Sequence, residues 1–298
     1  MVDVEGKIKR IRERLPELFD RLDPCRLCPR NCAAARRHGE VGECGIEDQL
    51  VVSSIGLHHG NEYPISGYQG SGNIFLTGCS LHCVYCQNWD VSQARHGRKM
   101  SAAEVAQAML NLQAVGAHNI NPVTPTHMVP MLLEALLLAS EKGLKLPLTY
   151  NTSGYDSLEV IELLDGIVDI YLPDMKYADA ENGLRFSTVQ DYPMHNQAAV
   201  REMHRQVGPL EFDENGVAVH GLLVRHLVLP GDLGGSEKIF TFLDEELPGP
   251  VYVNVMAQYR PCYKAGEFGE LARRITQSEF EEAVQRAREK KTLRLIER

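Results

Sequence analysis

An α/β fold with a parallel sheet is the class this 298-residue chain predicts, and three observations predict it. Short apolar runs alternate with amphipathic helical patterns from about residue 70 to the end, as repeated βα units do. The length suits one α/β barrel, which typically takes about 250 residues. Hydrophobic residues make up 44% and charged residues 24%, ordinary globular values that leave out a disordered or membrane class.

Each element follows from local pattern. Ile8, Ile11, Leu15, Leu18, Phe19 and Leu22 recur at helical spacing with Arg and Glu between them, so an amphipathic helix is expected over 5–22. Residues 24–49 are rich in Cys, and 50–71, rich in Gly, Ser and His, read as an irregular or short-strand connection. We therefore expect a boundary near residue 70, with an N-terminal helix and Cys-rich metal-binding segment over 1–70 and the βα body over 71–298. Strands are expected at 73–77, 117–123, 146–151, 166–172, 222–229 and 251–255. Ser101-Ala-Ala-Glu104 and Thr276-Gln-Ser-Glu279 are capping boxes that start helices over 102–115 and 277–290. Further helices are expected over 127–142, 156–165, 191–207, with Pro193 in its first turn, and 234–245.

The net charge of −9 argues against a sequence-independent nucleic-acid binder, which needs a basic footprint. No apolar run reaches the 18 or more residues of a membrane span, and the N-terminus mixes charges throughout, so no membrane partner and a cytoplasmic location are expected. Eight Cys in a reducing compartment read as ligands or catalytic groups rather than disulfides. Seven of them fall in two groups.

Cys79, Cys83 and Cys86 form the first, a C-x3-C-x2-C triplet in Gly78-Cys-Ser-Leu-His-Cys-Val-Tyr-Cys-Gln-Asn88. A 4Fe-4S cluster usually takes four Cys ligands, so a triplet leaves one iron open. Zinc closes with four ligands, which the triplet alone does not supply. With Tyr85 directly before the third Cys, the run resembles the signature of the radical S-adenosylmethionine (SAM) enzymes. That resemblance implies a partial (β/α)6 TIM-type barrel behind the N-terminal Cys-rich extension, with a 4Fe-4S cluster and SAM as cofactors. It also implies that the open iron takes the amino and carboxylate groups of SAM. A donor such as flavodoxin or ferredoxin supplies one electron, and the resulting 5′-deoxyadenosyl radical removes hydrogen from a substrate. Pattern alone leaves a doubly wound sheet as the alternative architecture.

Barrel active sites lie in the loops after the strands, where the triplet falls after the first. Asp174 and Lys176 end the fourth strand, similar to the Asp-Leu-Lys with which the pyruvate formate-lyase activating enzyme helps hold SAM. Alternate residues of an extended segment point the same way, so both can face the barrel mouth. Tyr150-Asn151-Thr152-Ser153-Gly154 ends the third strand, where Asn151 and Ser153 suit a ribose or carboxylate. Val224–Gly231, with His226, resembles the fifth strand of the same enzyme, and Met256–Pro261, with Gln258, its last strand-end loop. The Gly-Gly-Glu that usually binds the SAM amino group is replaced by Gly116–Pro125, where Asn119, Asn121 or Thr124 are the substitutes. The variant looks most like the PflX-type branch of that family.

Cys25, Cys28, Cys32 and Cys44 form the second group, C-x2-C-x3-C-x11-C. Four thiolates fit a structural zinc or an auxiliary 4Fe-4S cluster equally, and Arg30, Arg36 and Arg37 stand near in sequence. Cys262 remains alone and reads as a buried small hydrophobe. His58, His59, His118 and His127 are further polar residues within reach of the mouth. The reading is a radical SAM enzyme abstracting hydrogen, with a glycine of a glycyl-radical enzyme as the first substrate class. A small molecule, peptide or RNA is the alternative, and a non-catalytic iron-sulfur or zinc electron-transfer module lies outside that class.

Overall fold

The computed structural model describes residues 3–296. Its strands are β1 (Leu50–His58), β2 (Ser71–Leu76), β3 (Arg98–Met100), β4 (Ile120–Val123), β5 (Thr149–Thr152), β6 (Ile170–Pro173), β7 (Glu211–Phe212), β8 (Ala218–Leu227), β9 (Val251–Met256) and β10 (Leu293–Leu295). They form one sheet in the order β10-β9-β8-β6-β5-β4-β2-β1-β3, with β7 on β8. From β2 through β10 every pairing along this path is parallel, while β1 and β3 run antiparallel at the other edge. The edges β10 and β3 do not pair, so the barrel is partial and open. The six expected strands are all present, and β10 adds a seventh parallel strand.

The helices are α1 (Val4–Asp20), α2 (Tyr63–Ser66), α3 (Trp89–Ser92), α4 (Ala102–Ala114), α5 (Val129–Glu141), α6 (Leu158–Glu162), α7 (Ala180–Ser187), α8 (Tyr192–Val207), α9 (Ser236–Glu246) and α10 (Gln277–Arg288). Both capping boxes form, each hydroxyl accepting from the backbone N–H three residues on and each Glu accepting from the cap residue's own N–H. Helix α5 is apolar around most of its circumference because it is covered on both sides. Its Leu132, Leu133 and Leu136 are 1, 1 and 2% exposed, and each contributes roughly 1.5–3 kcal/mol of burial.

The stretch 50–71, expected as a connection, holds the nine-residue strand β1. Leu50, Val51, Val52 and Ile55 supply strand propensity among the Gly, Ser and His, and β1 pairs along β2 from Val52 opposite Leu76 to His58 opposite Ser71. The sheet thus runs through the expected boundary near residue 70. Helix α1, capped by the Asp3 carboxylate on Gly6 N–H, packs along the barrel, where its buried Lys7 pairs with Asp169. Among the described residues no helix is long and apolar enough to cross a membrane.

Alternation along the strands builds the lumen. Ile170 and Leu172 of β6 and Leu223 of β8 join Ile65 of α2 in an apolar cluster. Asp174 and Arg225 share their parity one step further along, which sets a polar layer over an apolar plug.

Candidate active site

The triplet loop leaves β2 at Gly78, whose φ of +75° is left-handed. A methyl there would stand 2.5 Å from the Cys44 carbonyl oxygen, so the N-terminal segment packs against the loop at a point only Gly allows. Cys79 and Cys83 are buried, Cys86 is half-buried, and all three line a cavity of about 380 Å³ together with Tyr85, Asn151, Ser153, Asp174, Lys176, Arg225 and Gln258. Leu81 N–H donates to Cys79 Sγ at 3.4 Å and Ser187 Oγ to Cys83 Sγ at 2.9 Å, while Ser92 Oγ stands 3.2 Å from Cys86 Sγ. Burial pushes the Cys79 and Cys83 thiols up, Cys83 to about 11, with the neighbouring cysteines adding to the rise. A positive cluster reverses that balance, because metal binding draws the protons off. Three convergent soft donors facing one cavity fit such a cluster.

Across the cavity, Asp174 is gripped from two sides. Lys176 Nζ donates to Oδ2 at 2.5 Å and Arg225 Nε to Oδ1 at 2.8 Å, while Arg225 Nη2 reaches Asn151 Oδ1 at 2.7 Å. Burial alone would push the Asp174 carboxyl up, but Arg225 and Lys176 outweigh it and hold it below the usual carboxylate range. Burial would likewise lower the Lys176 ammonium, yet Asp174 and then Cys83 keep it raised and charged. Helix α8 fixes this corner: Asn196 Nδ2 donates to the carbonyls of Gly154 and Asp174 at 3.0 and 2.9 Å, and Tyr192 OH shares its one proton between those of Ser153 and Asp174 at 2.8 and 3.0 Å. Gly154, at φ +75°, is obligatory, since a methyl would stand 2.2 Å from the Asp174 carbonyl oxygen.

The sequence profile of the Radical SAM superfamily matches residues 73–218. The chain is 34% identical over 282 residues to the uncharacterized protein MJ0674 of Methanocaldococcus jannaschii, covering 91% of this chain and 76% of that one. It belongs to the radical SAM superfamily. A radical SAM methyltransferase from Sphaerobacter thermophilus shares the fold at TM-score 0.52 and 16% identity, over 84% of this chain and 78% of that one. HydG, a maturase of the FeFe-hydrogenase, does so at TM-score 0.51 and 12% identity, over 76% and 51%. Membership implies a 4Fe-4S cluster and SAM as cofactors.

In this radical SAM protein three expected SAM contacts lie elsewhere. His226 is fully buried on the outer side of β8, Nδ1 on the Met175 carbonyl at 2.8 Å and Nε2 on Ser236 Oγ at 2.9 Å, where it pins β8 to α9. Its neighbour Arg225 takes the inward position, because successive strand residues face opposite ways. Asn119 accepts from Ser71 Oγ at 2.6 Å and donates to Ile65 O at 2.8 Å, and Asn121 donates to Ser71 Oγ at 3.0 Å; both are 0% exposed and outside the cavity lining. They brace β4 against β2 and α2. Thr124 does line the cavity, at a left-handed φ of 59° that is rare for a β-branched residue. His58 lines it too, whereas His59 and His118 do not, and His127 is buried with Nε2 on the Thr77 carbonyl at 2.8 Å.

Sequence reasoning missed Arg225, Asn61, Glu62, Asn73 and Asn254. Asn254 Nδ2 donates to Glu62 Oε1 at 2.7 Å, and among the described residues Glu62 Oε2 is buried with no hydrogen-bond partner. Its signal was weak, since Glu62 sits in the loop after a strand that composition hid.

The N-terminal cysteines of this radical SAM protein also gather. Cys25, Cys28 and Cys44 are buried and Cys32 half-buried, and a methyl on Gly42 would touch Cys32 Sγ and Cys44 Sγ at 3.4 and 3.5 Å. Burial first, then the other three cysteines, push the Cys28 thiol up to about 12, against a lowering hydrogen bond from Arg30 N–H. Arg36 is 0% exposed and directs Nη1 at Cys25 Sγ, 3.6 Å away, with its other nitrogens on the carbonyls of Glu47 and His127. Arg37 is exposed and pairs with Asp20. Among the described residues no three His, Cys, Asp or Glu side chains stand in single-ion geometry. Cys262 is half-buried.

Proposed function

We propose that the protein is a SAM-cleaving radical enzyme whose cluster is held by Cys79, Cys83 and Cys86 and whose substrate is a small polar molecule seated in the barrel lumen. The observation that carries this is the convergence of the three thiols on the cavity that also holds Asn151, Asp174, Lys176 and Arg225. When bound, the cluster supplies one electron to SAM and so a 5′-deoxyadenosyl radical. The chain's own residues orient the reactants. Asp174, Lys176 and Arg225 together carry one net positive charge, which suits the SAM carboxylate, with Asn151 and Ser153 as polar contacts and Thr124 where the amino-group ligand falls. Tyr85 and the apolar plug keep water out.

The polar lining of Asn61, Glu62 and Asn73, with Asn254 holding Glu62 from behind, favours a small hydrogen-bonding molecule over a glycine of a glycyl-radical enzyme, a peptide or an RNA. In the same reading Cys25, Cys28, Cys32 and Cys44 hold a second metal centre, a flavodoxin or ferredoxin gives the electron, and the enzyme works in the cytoplasm. Anaerobic reconstitution with iron and sulfide, then reduction in the presence of SAM, tests it. Release of 5′-deoxyadenosine is expected; well-loaded protein that releases none sinks the proposal. A glycine radical on a co-purified partner would replace the small-molecule reading with the activase one.

A further inference from the structure

We infer that Arg30 is a positioning residue for the catalytic cluster, through which the N-terminal cysteine loop holds the Cys83 side of the triplet. The inference rests on the reading of Cys79, Cys83 and Cys86 as cluster ligands and adds a residue outside the barrel to that site.

Arg30 lies between Cys28 and Cys32 in a sharply folded loop. Asn31 and Ala33 adopt left-handed φ values of 42° and 56° there, and the loop is closed by Asn31 N–H on the Cys28 carbonyl at 3.1 Å and Ala33 N–H on the Cys25 carbonyl at 3.2 Å. The guanidinium leaves its own cysteines and crosses to the catalytic loop. Its Nε donates to the Ser80 carbonyl at 2.8 Å, inside the triplet. Nη1 donates to the Thr188 carbonyl at 3.1 Å, and Nη2 to Thr188 Oγ1 at 2.6 Å and the Ser187 carbonyl at 3.5 Å. The acceptors come from two chain segments, and a planar fork matches them where a lysine's point charge does not.

Those segments meet at Cys83. Ser187 donates its single hydroxyl proton to Cys83 Sγ at 2.9 Å, so the Tyr177 hydroxyl, 2.7 Å away, donates to Ser187 in turn. Val84 N–H on the Phe186 carbonyl at 2.9 Å and His82 N–H on the Ser187 carbonyl at 3.3 Å complete the seam. Thr188 ends α7 at φ 60°, a left-handed turn closed by Thr188 N–H on the Leu184 carbonyl and Val189 N–H on the Gly183 carbonyl, both at 3.1 Å, and two Arg30 bonds hold that turn from outside. Arg30 therefore braces the turn that aims the Ser187 hydroxyl at a cluster thiolate. A hydrogen bond to a cluster sulfur favours the reduced state and raises the reduction potential.

The test is a redox titration of the reconstituted full chain, following the electron paramagnetic resonance signal that changes on SAM addition. Ser187→Ala is expected to shift the midpoint to more negative potential. Arg30→Ala is expected to shift it the same way, Arg30→Lys by less, and the double variant no further than Ser187→Ala alone. Should Arg30→Ala fail to take up the cluster, Arg30→Lys carries the same test. Arg30 variants with the wild-type midpoint, or a double variant whose shifts add, overturn the inference alone. A wild-type protein with no SAM-sensitive signal overturns it together with the reading on which it rests.

Discussion

Arg225 Nε holds one carboxylate oxygen of Asp174 at 2.8 Å while Lys176 Nζ holds the other, so a single buried carboxylate keeps two cations at the mouth of the barrel. Side-chain exposures of 15–17% for all three leave little water to take its place. Asp174→Asn removes the common partner and leaves two like charges facing each other, a loss of about 3–5 kcal/mol. Because the Asp174 carboxyl is held below its ordinary range, its contribution is complete above the unfolded value of about 3.9 and is lost as pH falls through the folded one. Urea midpoints measured from pH 7 downward should fall at the acid end in the wild type, and Asp174→Asn should start lower and fall less steeply below about pH 4, where the other lowered carboxyls still titrate. Equal curves would remove Asp174 from the stability of the site.

Alanine at Cys79, Cys83 or Cys86 should abolish 5′-deoxyadenosine release and remove about four irons per chain, whereas alanine at Cys25, Cys28 or Cys32 should remove the second metal only. Metal analysis of wild-type protein identifies that centre: about eight irons mean two clusters, about four irons with one zinc mean a structural site. Protein that retains all its metal after a triplet substitution would contradict the assignment.

Gly78→Ala meets both a left-handed φ and the Cys44 carbonyl, so it should lower stability by about 2–3 kcal/mol and reduce cluster uptake. Gly39→Ala is the control, since its φ of +84° carries the same conformational penalty but nothing lies within 4 Å of the added methyl. Thermal melts of the two variants should separate the packing loss from the backbone one. Equal melting temperatures would mean that the catalytic loop yields freely.

His127 titrates against burial. Burial, with a small contribution from Arg36, lowers its pKa to about 4 although the Thr77 carbonyl bond opposes the shift. The unfolded chain therefore binds the proton first, and stability falls as pH drops from about 6.5 towards 4, by about 3 kcal/mol in all. His127→Gln should flatten stability across that window, as read from urea midpoints. An unchanged slope would place the titration elsewhere.

The local chemical signals were legible in the sequence. Cysteine spacing, two hydroxyl-to-glutamate capping boxes, six apolar runs and the Asp174–Lys176 pair each announce themselves within a few residues; the runs give the α/β class, and the open barrel comes from the family resemblance that the cysteine motif carries. What stayed hidden depends on strand parity. The resemblance that singles out Val224–Gly231 does not say which of its residues face inward; adjacent residues of β8, Ala218–Leu227, face opposite ways, so Arg225 enters the site and His226 does not. Ser187 and Asn196 were invisible for another reason: each serves the site from a helix more than 100 residues from Cys79, by a contact that no local pattern encodes.

The antiparallel pairing of β1 with β2 also bears on how the chain assembles. Successive parallel strands need a long crossover before they can meet, whereas His58 and Ser71 are joined by residues 59–70, which carry only the single turn of α2. Loop closure over these residues costs less chain entropy than any of the parallel crossovers, so this ribbon forms more cheaply than any parallel pair of the sheet. A growing polypeptide thus acquires a template for its first barrel strand before most of the barrel has been synthesised, and the strand so templated is the one that ends at Cys79.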